Sequence, residues 1–332
     1  MSGISGIHHI SSISTSPERT LAFYTGVLGM RLVKRTVNFD DTSTLHLYFG
    51  DHAGSPGTLL TFFPWTKGNA GRIGVGQVAV TSLAIAPASL GYWLARLVQS
   101  GVGYTGPSSR EAADGSAERV ITFSDPDGLK LELVAHEAVP EEGTHEGMAG
   151  VTAANAVRGV HSVTLWVEDS ARSASMLADT LGFRELKESG ATRRFTSGSG
   201  LPGSFVDVRG VGGFLGGVEG TGTVHHVAFR VPDDESQLDV RQRLHEAGYS
   251  TTRIMDRNYF RSIYFREPGG VLYEVATDEP GFTIDEPLET LGEKLMLPPR
   301  YEIDRPQLEA ELPHVPTWEE LKAEVGQSFR EE

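Results

Sequence analysis

Residues 123–137 read FSDPDGLKLELVAHE, and residues 265–279 read FREPGGVLYEVATDE. The two stretches carry Phe, Pro, Gly and Glu at matched positions, so that Glu132 aligns with Glu274. In both, a β-rich run leads through a turn containing Pro and Gly into a second β-rich run, which predicts a β-hairpin. A hairpin written twice in one chain indicates a fold assembled from copies of one supersecondary unit.

The strands that begin the units repeat as well. GIHHISSIS at 6–14 resembles GVHSVTLWV at 159–167, and VGQVAVTSL at 75–83 resembles TVHHVAFRV at 223–231. Each of these strands is followed by an amphipathic pattern and then by short β-rich runs. The chain is therefore predicted to have an α+β fold of four βαβββ modules that form two open mixed β-barrels. The modules are expected at residues 4–64, 74–136, 158–209 and 222–277.

Helix signals support the unit. Ser16 followed by Pro17 is typical of a helix start, with Ser as the N-cap and Pro in the first turn. In the fourth module, Leu238, Arg241 and Leu244 recur at a spacing of three and predict the stripe that faces the sheet.

Three regions are expected along the chain. Residues 1–145 hold the N-terminal pair of modules, residues 155–280 hold the C-terminal pair, and residues 281–332 form a C-terminal extension. The extension has no βαβββ pattern. It is expected to pack on the barrels, to pack against a second subunit of a homo-oligomer, or to help close a pocket.

Composition narrows the function. The 332 residues carry a net charge of −15 and no cluster of Lys and Arg, which disfavours nucleic acid and anionic membranes as partners. The absence of cysteine excludes thiolate metal sites, disulfides and cysteine nucleophiles. The N-terminus lacks the pattern of a signal peptide, and no apolar run is long enough to span a membrane. These features predict a soluble, cytoplasmic protein with a small-molecule partner.

Two His-His doublets and one glutamate suggest a metal site. His8-His9 and His225-His226 lie in predicted strands, and Glu274 lies in the apolar run GGVLYEVA, where a charge is costly unless a cation or donor meets it. Two imidazoles and a carboxylate can hold one face of a divalent metal and leave the other face open. Neighbouring side chains of a strand point to opposite faces, so only one His of each doublet is expected to face the metal. A structural salt bridge and ordinary buried histidines are the alternative interpretation.

The repeat predicts which modules must meet. Aligning the four starting strands places His9 opposite Ser162 and His226 opposite Gln77. Modules paired in chain order would leave neither barrel with a complete set of ligands. If the first module instead pairs with the fourth, His9, His226 and Glu274 share one site. The second and third modules would then hold an incomplete site made of Ser162, Gln77 and Glu132.

Several longer segments resemble a known family. They are GIHHISSIS, FYTGVLGMRLVKRTVNFDD, HHVAFRVPD, DRNYFRSIYFREPGGVLYEVATDEPGF and LGEKLMLPP. The chain resembles the vicinal-oxygen-chelate superfamily, which has the glyoxalase, bleomycin-resistance and extradiol-dioxygenase fold. More narrowly, it is similar to ring-cleaving dioxygenases that act on hydroquinones, including chlorinated ones, and to bacterial relatives linked to quinone resistance.

The resemblance implies an Fe(II)-dependent, extradiol-type dioxygenase that opens hydroquinone- or catechol-type rings with dioxygen, in quinone detoxification or aromatic degradation. It implies iron ligands on the second His of each doublet and on the hairpin glutamate: His9, His226 and Glu274. It further implies donors and acid-base groups around the substrate at His8, His225, Arg257 and Tyr264.

Two other functions stay open at this point. One is a glyoxalase-type isomerase or lyase that uses Mn(II), Zn(II) or Ni(II), although such sites usually carry a fourth protein ligand. The other is a non-catalytic resistance protein that binds an aromatic ligand. The ring substituents, the cleavage position, the metal and the oligomeric state are not specified by the sequence.

Overall fold

Sixteen strands in the described part of the chain form two curled eight-stranded sheets. A computed structural model describes residues 3–112, 115–141, 143–198 and 201–328. The strands are β1 (Gly6–Ser14), β2 (Arg31–Asn38), β3 (Asp41–Gly50), β4 (Leu59–Pro64), β5 (Gln77–Ile85), β6 (Tyr104–Glu111), β7 (Ala117–Ser124), β8 (Lys130–Ala135), β9 (Val160–Val167), β10 (Arg184–Ser189), β11 (Thr192–Thr196), β12 (Phe205–Gly210), β13 (Thr223–Val231), β14 (Met255–Asp256), β15 (Arg261–Arg266) and β16 (Leu272–Thr277).

Each module places a helix between its first and second strands, as the repeat predicts. The helices are α1 (Pro17–Leu21), α2 (Leu90–Gln99), α3 (Ser170–Ser175), α4 (Asp234–Glu246), α5 (Arg305–Glu311) and α6 (Trp318–Ser328). The predicted N-cap is confirmed, because Ser16 Oγ accepts a hydrogen bond from Arg19 N at 3.2 Å. None of the helices in the described ranges is both long and apolar enough to cross a membrane.

The first module pairs with the fourth, as predicted. The first and fourth modules form one sheet, called the outer sheet, with the strand order β14-β15-β16-β13-β1-β4-β3-β2. The second and third modules form the other, called the inner sheet, with the order β10-β11-β12-β9-β5-β8-β7-β6. The two halves of each sheet join through antiparallel pairs of starting strands, β1 with β13 and β5 with β9. Each sheet thus combines modules from both of the regions 1–145 and 155–280, and the division of the chain into those regions stays a prediction.

The strand register corrects one part of the repeat alignment. Glu274 pairs with Ala228, which lies two positions after His226, whereas Glu132 pairs with Ser82. The residue that matches His226 in the inner sheet is therefore Val80, two positions before Ser82.

Gln77, which the sequence alignment placed opposite His226, lies three positions too early. It is the first residue of β5, and its Oε1 accepts a hydrogen bond from Gly74 N at 3.1 Å. The sequence alignment matched VAV in one strand with VAF in the other. Short apolar runs resemble each other at several offsets, and only the pairing of strands fixes the register.

Helix α4 packs on the outer sheet through a face that is partly polar. Leu244 of the predicted stripe is buried, but Leu238 is 48% exposed. Gln237 is buried instead, and its side-chain amide donates to the carbonyl oxygens of Arg261 and Val275 at 2.7 and 2.8 Å. The predicted stripe is wrong at Leu238, because two strand carbonyls attract an amide to this face.

The C-terminal extension is bound to β2 by two buried cations. The ammonium group of Lys34 is fully buried and pairs with Asp285 at 2.7 Å and with Glu286. The guanidinium of Arg35 donates from Nε to the carbonyl oxygen of Gly292 at 2.6 Å. Of the placements expected from the sequence, the structure therefore shows packing on the barrel.

We expect Lys34→Met to lower the free energy of unfolding by about 3 kcal/mol, because two carboxylates would lose their buried cation. Urea unfolding at pH 7 measures the change. Lys187→Met is the matched control, since Lys187 pairs with Glu111 near the surface at 2.7 Å and should cost less than about 1 kcal/mol. Equal losses in the two variants would contradict a structural role for the buried pair.

Candidate metal centre

Three predicted ligands converge inside the outer sheet. His9 lies on β1, His226 on β13 and Glu274 on β16, and all three are buried. The Nε2 atoms of the two histidines are 3.3 Å apart. Oε2 of Glu274 lies 3.4 Å from Nε2 of His9 and 2.8 Å from Nε2 of His226. Within the described ranges, this is the one group of three or more His, Asp and Glu side chains that could hold a metal ion.

The spacing of these three atoms fits a divalent metal. Ligand atoms about 2.1 Å from one ion lie roughly 3.0 Å apart at right angles and roughly 3.4 Å apart at tetrahedral angles. Oε2 of Glu274 is buried and makes no well-aligned hydrogen bond with any described residue. Two imidazoles and a carboxylate that face one point are also the ligand set of open iron sites.

Burial and mutual contact hold Glu274 and His226 in the forms that bind metals. Burial alone would raise the pKa of Glu274, but the two facing imidazoles hold that pKa well below its usual value. Burial lowers the pKa of His226 to about 4, which keeps its imidazole neutral at pH 7. A deprotonated carboxylate and neutral imidazole are the forms that bind metals.

Bulges in β1 and β13 interrupt the alternation of side chains on which the parity argument about the doublets rests. The pairing of the two strands skips His8 between Ile7 and His9, and it skips His225 beside His226. A bulge interrupts the alternation of side chains. Nδ1 of His8 lies 2.9 Å from Nδ1 of His9, and the matching distance in the second doublet is 2.7 Å. Both members of each doublet therefore lie on one side of the sheet.

The first residue of each doublet, His8 or His225, can orient the candidate ligand that follows it. A histidine that binds a metal through Nε2 carries its proton on Nδ1 and donates it to a neighbour. Nδ1 of His8 and of His225 are placed to accept, and burial lowers the pKa of both imidazoles. On the third ligand, Ser262 Oγ donates to Oε1 of Glu274.

A cavity of about 340 Å³ is lined by two of the candidate ligands, His9 and His226. Its lining is largely aromatic and includes residues from the first and fourth modules. The lining residues are His9, Asn38, Phe39, Asp40, His46, Tyr48, Phe63, Trp65, His225, His226, Thr252, Met255, Arg257, Phe260, Tyr264 and Leu272. His225, Arg257 and Tyr264 thus line this cavity, and the contact with a substrate that the family resemblance implies for them stays a prediction. His8 is buried against Phe260 and is not part of this lining, so its direct contact is with His9.

Arg257 and Tyr264 form a pair beside the candidate ligands. Nε of Arg257 donates to the hydroxyl oxygen of Tyr264 at 3.1 Å. The tyrosine ring lies against the ring of His226, with centroids 5.6 Å apart. Burial, aided by the charge of Glu274, raises the pKa of Tyr264, so this hydroxyl stays protonated at neutral pH.

Two further lining residues, His46 and Tyr48, lie two positions apart on β3 and were not predicted from the sequence. The Tyr48 hydroxyl and Nδ1 of His46 are 2.8 Å apart, and Nε2 of His46 lies 2.8 Å from Thr61 Oγ1. Burial lowers the pKa of His46 and raises the pKa of Tyr48. Their spacing of two in a strand was the signal for a shared face.

Comparison with known proteins identifies the family. A model of the Glyoxalase/Bleomycin resistance protein/Dioxygenase superfamily matches residues 6–133 and 159–275. The chain belongs to this superfamily. The resemblance predicted from the sequence is confirmed.

Two curated members of the superfamily align over nearly the whole chain. "Putative ring-cleaving dioxygenase MhqO" of Bacillus subtilis (strain 168) is 43% identical over 304 residues, which cover 92% of this chain and 94% of the relative. "Chlorohydroquinone/hydroquinone 1,2-dioxygenase" of Sphingobium indicum is 31% identical over 312 residues, which cover 90% of this chain and 93% of the relative.

Solved structures show the same architecture. The crystal structure of a "putative dioxygenase" from Bacillus subtilis superposes with a TM-score of 0.87 at 43% identity, covering 95% of this chain and 99% of that one. Glyoxalase I from Zea mays superposes with a TM-score of 0.62 at 17% identity, covering 87% and 97% of the two chains. At this low identity, the glyoxalase comparison shows the fold alone.

In this superfamily member, the inner sheet holds an ion network that includes Glu132, the counterpart of Glu274. Glu118 is buried and pairs with Arg110, with Arg194 at 2.9 Å and with Nε2 of His161 at 3.2 Å. The hairpin Glu132 also meets Arg110, at 3.0 Å. Guanidinium groups thus neutralise Glu118 and the half-buried Glu132. Glu132 forms a salt bridge, which was the alternative interpretation of a hairpin glutamate.

We expect Glu118→Gln to lower the free energy of unfolding by about 3 kcal/mol at pH 7, because it removes the anion of a buried ion network. Burial alone would raise the pKa of Glu118, but His161 and the two arginines hold it well below the usual 4.5. The stability that the ionised carboxylate contributes is present above pH 4.5 and is lost as the pH falls toward the lowered pKa. The gap between wild type and variant should therefore narrow below about pH 4.5.

Urea unfolding at several pH values measures this gap. The matched control is Glu185→Gln, since Glu185 pairs with Arg193 near the surface and should change stability by less than about 1 kcal/mol. A gap at pH 7 no larger than that of the control would contradict the role assigned to the network.

Proposed function

We propose that the protein is an Fe(II)-dependent ring-cleaving dioxygenase that acts on hydroquinone- or catechol-type aromatics, in quinone detoxification or aromatic degradation. The observation that carries the proposal is the convergence of His9, His226 and Glu274 beside an aromatic cavity. Relatives named as ring-cleaving dioxygenases, one of them for hydroquinone, support the substrate class.

The proposed ligands leave room for both substrates. Iron(II) held by His9, His226 and Glu274 would supply open positions for a substrate hydroxyl oxygen and for dioxygen, and a path for electrons between them. The aromatic lining binds the ring and keeps bulk water from the reacting atoms.

The hydrogen bonds of the doublets assign a proton to His225. If Nδ1 of His226 donates to Nδ1 of His225, the neutral His225 ring carries its own proton on Nε2. His225 then acts as a donor or general acid toward an oxygen atom in the cavity. The Tyr264 hydroxyl stays protonated and can donate in the same way, and Arg257, whose Nε donates to that hydroxyl oxygen, can stabilise negative charge that develops on it.

The number of available ligands favours a dioxygenase over a glyoxalase-type isomerase. His46 also lines the cavity, but Tyr48 and Thr61 lie within hydrogen-bond distance of its two ring nitrogens. It is therefore not free to serve as the fourth protein ligand that isomerase sites usually carry.

Oxygen uptake tests the proposal. We expect protein reconstituted with Fe(II) to consume dioxygen with hydroquinone, methylhydroquinone, chlorohydroquinone or catechol, and protein loaded with Zn(II) to be inactive. His226→Ala should abolish uptake, because it removes one of three ligands. His245→Ala is the matched control, since His245 lies on the exposed surface of α4 and contacts Thr251.

Each contrary outcome points to another function. Activity that survives zinc loading and the removal of oxygen would support an isomerase or lyase. Ligand binding without turnover, at an affinity that His226→Ala leaves unchanged, would support a binding protein.

Metal affinity provides a separate test of the site. We expect Ser262→Ala to weaken Zn(II) binding by about tenfold or more, because the hydroxyl orients Glu274. A competing chelator measures the dissociation constant. Ser82→Ala is the matched control, since Ser82 donates to Glu132 at 2.8 Å in the inner sheet. If both variants bind zinc like wild type, Ser262 has no role in holding the metal.

A further inference from the structure

A single ion pair carries the opposite charges of the cavity lining. Among the described lining residues, Arg257 is the one Lys or Arg and Asp40 is the one Asp or Glu. NH1 and NH2 of Arg257 donate to the two carboxylate oxygens of Asp40, at 3.1 and 2.8 Å. The side chain of Asp40 is 57% exposed and that of Arg257 is 13% exposed, which places the pair at the solvent end of the cavity.

The pair joins the same two modules as the candidate metal ligands. Asp40 lies in the turn between β2 and β3 of the first module, and Arg257 follows β14 of the fourth. The C-terminal extension supports this turn, because the Tyr301 hydroxyl donates to the carbonyl oxygen of Phe39 at 3.0 Å. The guanidinium of Arg300 also lies over the Phe39 ring, 5.4 Å from its centroid. The extension thus supports the turn that places Asp40 beside Arg257.

The pairing decides what Arg257 offers to a ligand. A guanidinium with both terminal nitrogens free binds a carboxylate through two parallel hydrogen bonds. Asp40 already occupies that fork, and the third nitrogen, Nε, donates to Tyr264. A ring carboxylate entering the cavity would therefore find no free fork and would meet the charge of Asp40. The neighbouring aromatic side chains favour uncharged substituents.

We propose that Asp40 determines specificity: by neutralising Arg257 it directs the cavity toward aromatic diols with uncharged ring substituents and against diols that carry a ring carboxylate. The nature of the ring rests on the proposed function. The selection against carboxylates rests on the Asp40–Arg257 pair alone.

Equilibrium binding tests the proposal without turnover. Calorimetry on Zn(II)-loaded protein compares methylhydroquinone with 2,5-dihydroxybenzoate. The two diols differ in one ring substituent, which is an uncharged methyl group in the first and a charged carboxylate in the second. Wild type should bind methylhydroquinone at least tenfold more tightly. Asp40→Asn should strengthen binding of 2,5-dihydroxybenzoate about tenfold, which corresponds to ~1.4 kcal/mol, and change methylhydroquinone less than about threefold.

Three further variants locate the effect. Asp40→Glu should keep the wild-type preference because it retains the charge. Asp41→Asn is the matched control, since this neighbouring carboxylate accepts from Ser43 N at 3.1 Å and is not among the lining residues. Asp40→Asn combined with Arg257→Met should lose the gain in carboxylate binding. Thermal unfolding confirms that each variant is folded.

An unchanged preference in Asp40→Asn, an equal change in Asp41→Asn, or a gain that persists without Arg257 would each overturn the proposal. Failure of wild type to bind methylhydroquinone would overturn the proposed substrate class as well. Normal binding without oxygen uptake by the iron form would overturn only the proposed dioxygenase activity.

Discussion

The antiparallel pairing of β1 with β13 is the contact on which the candidate site depends. These strands lie 217 positions apart at His9 and His226, and their pairing places the two Nε2 atoms 3.3 Å apart. Glu274 joins them because β16 pairs in parallel with β13. A chain in which neighbouring modules paired in sequence order would separate His9 from the other two. The site is therefore a property of the module arrangement and not of any one module.

Bulges at matched positions adapt this joint to two different purposes. In the outer sheet they bring His8 and His225 beside the candidate ligands, within hydrogen-bond distance of their Nδ1 atoms. In the inner sheet the pairing of β5 with β9 skips residues at the corresponding places, one of them His161. There Nδ1 of His161 lies 3.0 Å from Ser162 Oγ, and its Nε2 lies 3.2 Å from Glu118. The same backbone thus supports a candidate metal centre in one sheet and an ion network in the other.

Both sheets solve one electrostatic problem, which is the cost of a buried carboxylate. In the inner sheet, Arg110 of β6 pairs with both Glu118 and Glu132, and Arg194 of β11 pairs with Glu118. Glu274 has no arginine or lysine within ion-pair distance among the described residues and faces the imidazoles of His9 and His226, and burial lowers the pKa of His226 to about 4. A divalent cation between the three groups would offset the buried charge more fully than the imidazoles do. This contrast is the physical reason to assign metal binding to the outer sheet.

The sequence predicted most of the fold, because each repeat carries its own local signals. The hairpins, the starting strands and the Ser16 cap all report on contacts within a few residues, and the repeat itself indicated that the outer modules meet. The errors arose where distant partners decide. The register that makes Val80 the inner-sheet counterpart of His226 depends on strand pairing, and the bulge at His225 depends on the pairing of β13 with β1. Neither is encoded in the strand concerned.

The C-terminal extension shows the same limit at the cavity. The extension has no repeat pattern in its sequence. Its role follows from the β2 side chains that bind it, and the sequence of β2 resembles that of an ordinary strand. Lys34 and Arg35 hold the extension at the middle of β2, and Tyr301 contacts the turn that follows this strand. That turn carries Asp40 to Arg257, and Arg257 donates to Tyr264 beside the candidate ligands. A continuous path of polar contacts therefore runs from the extension to the cavity, so the last part of the chain helps to define which groups a bound ring would meet.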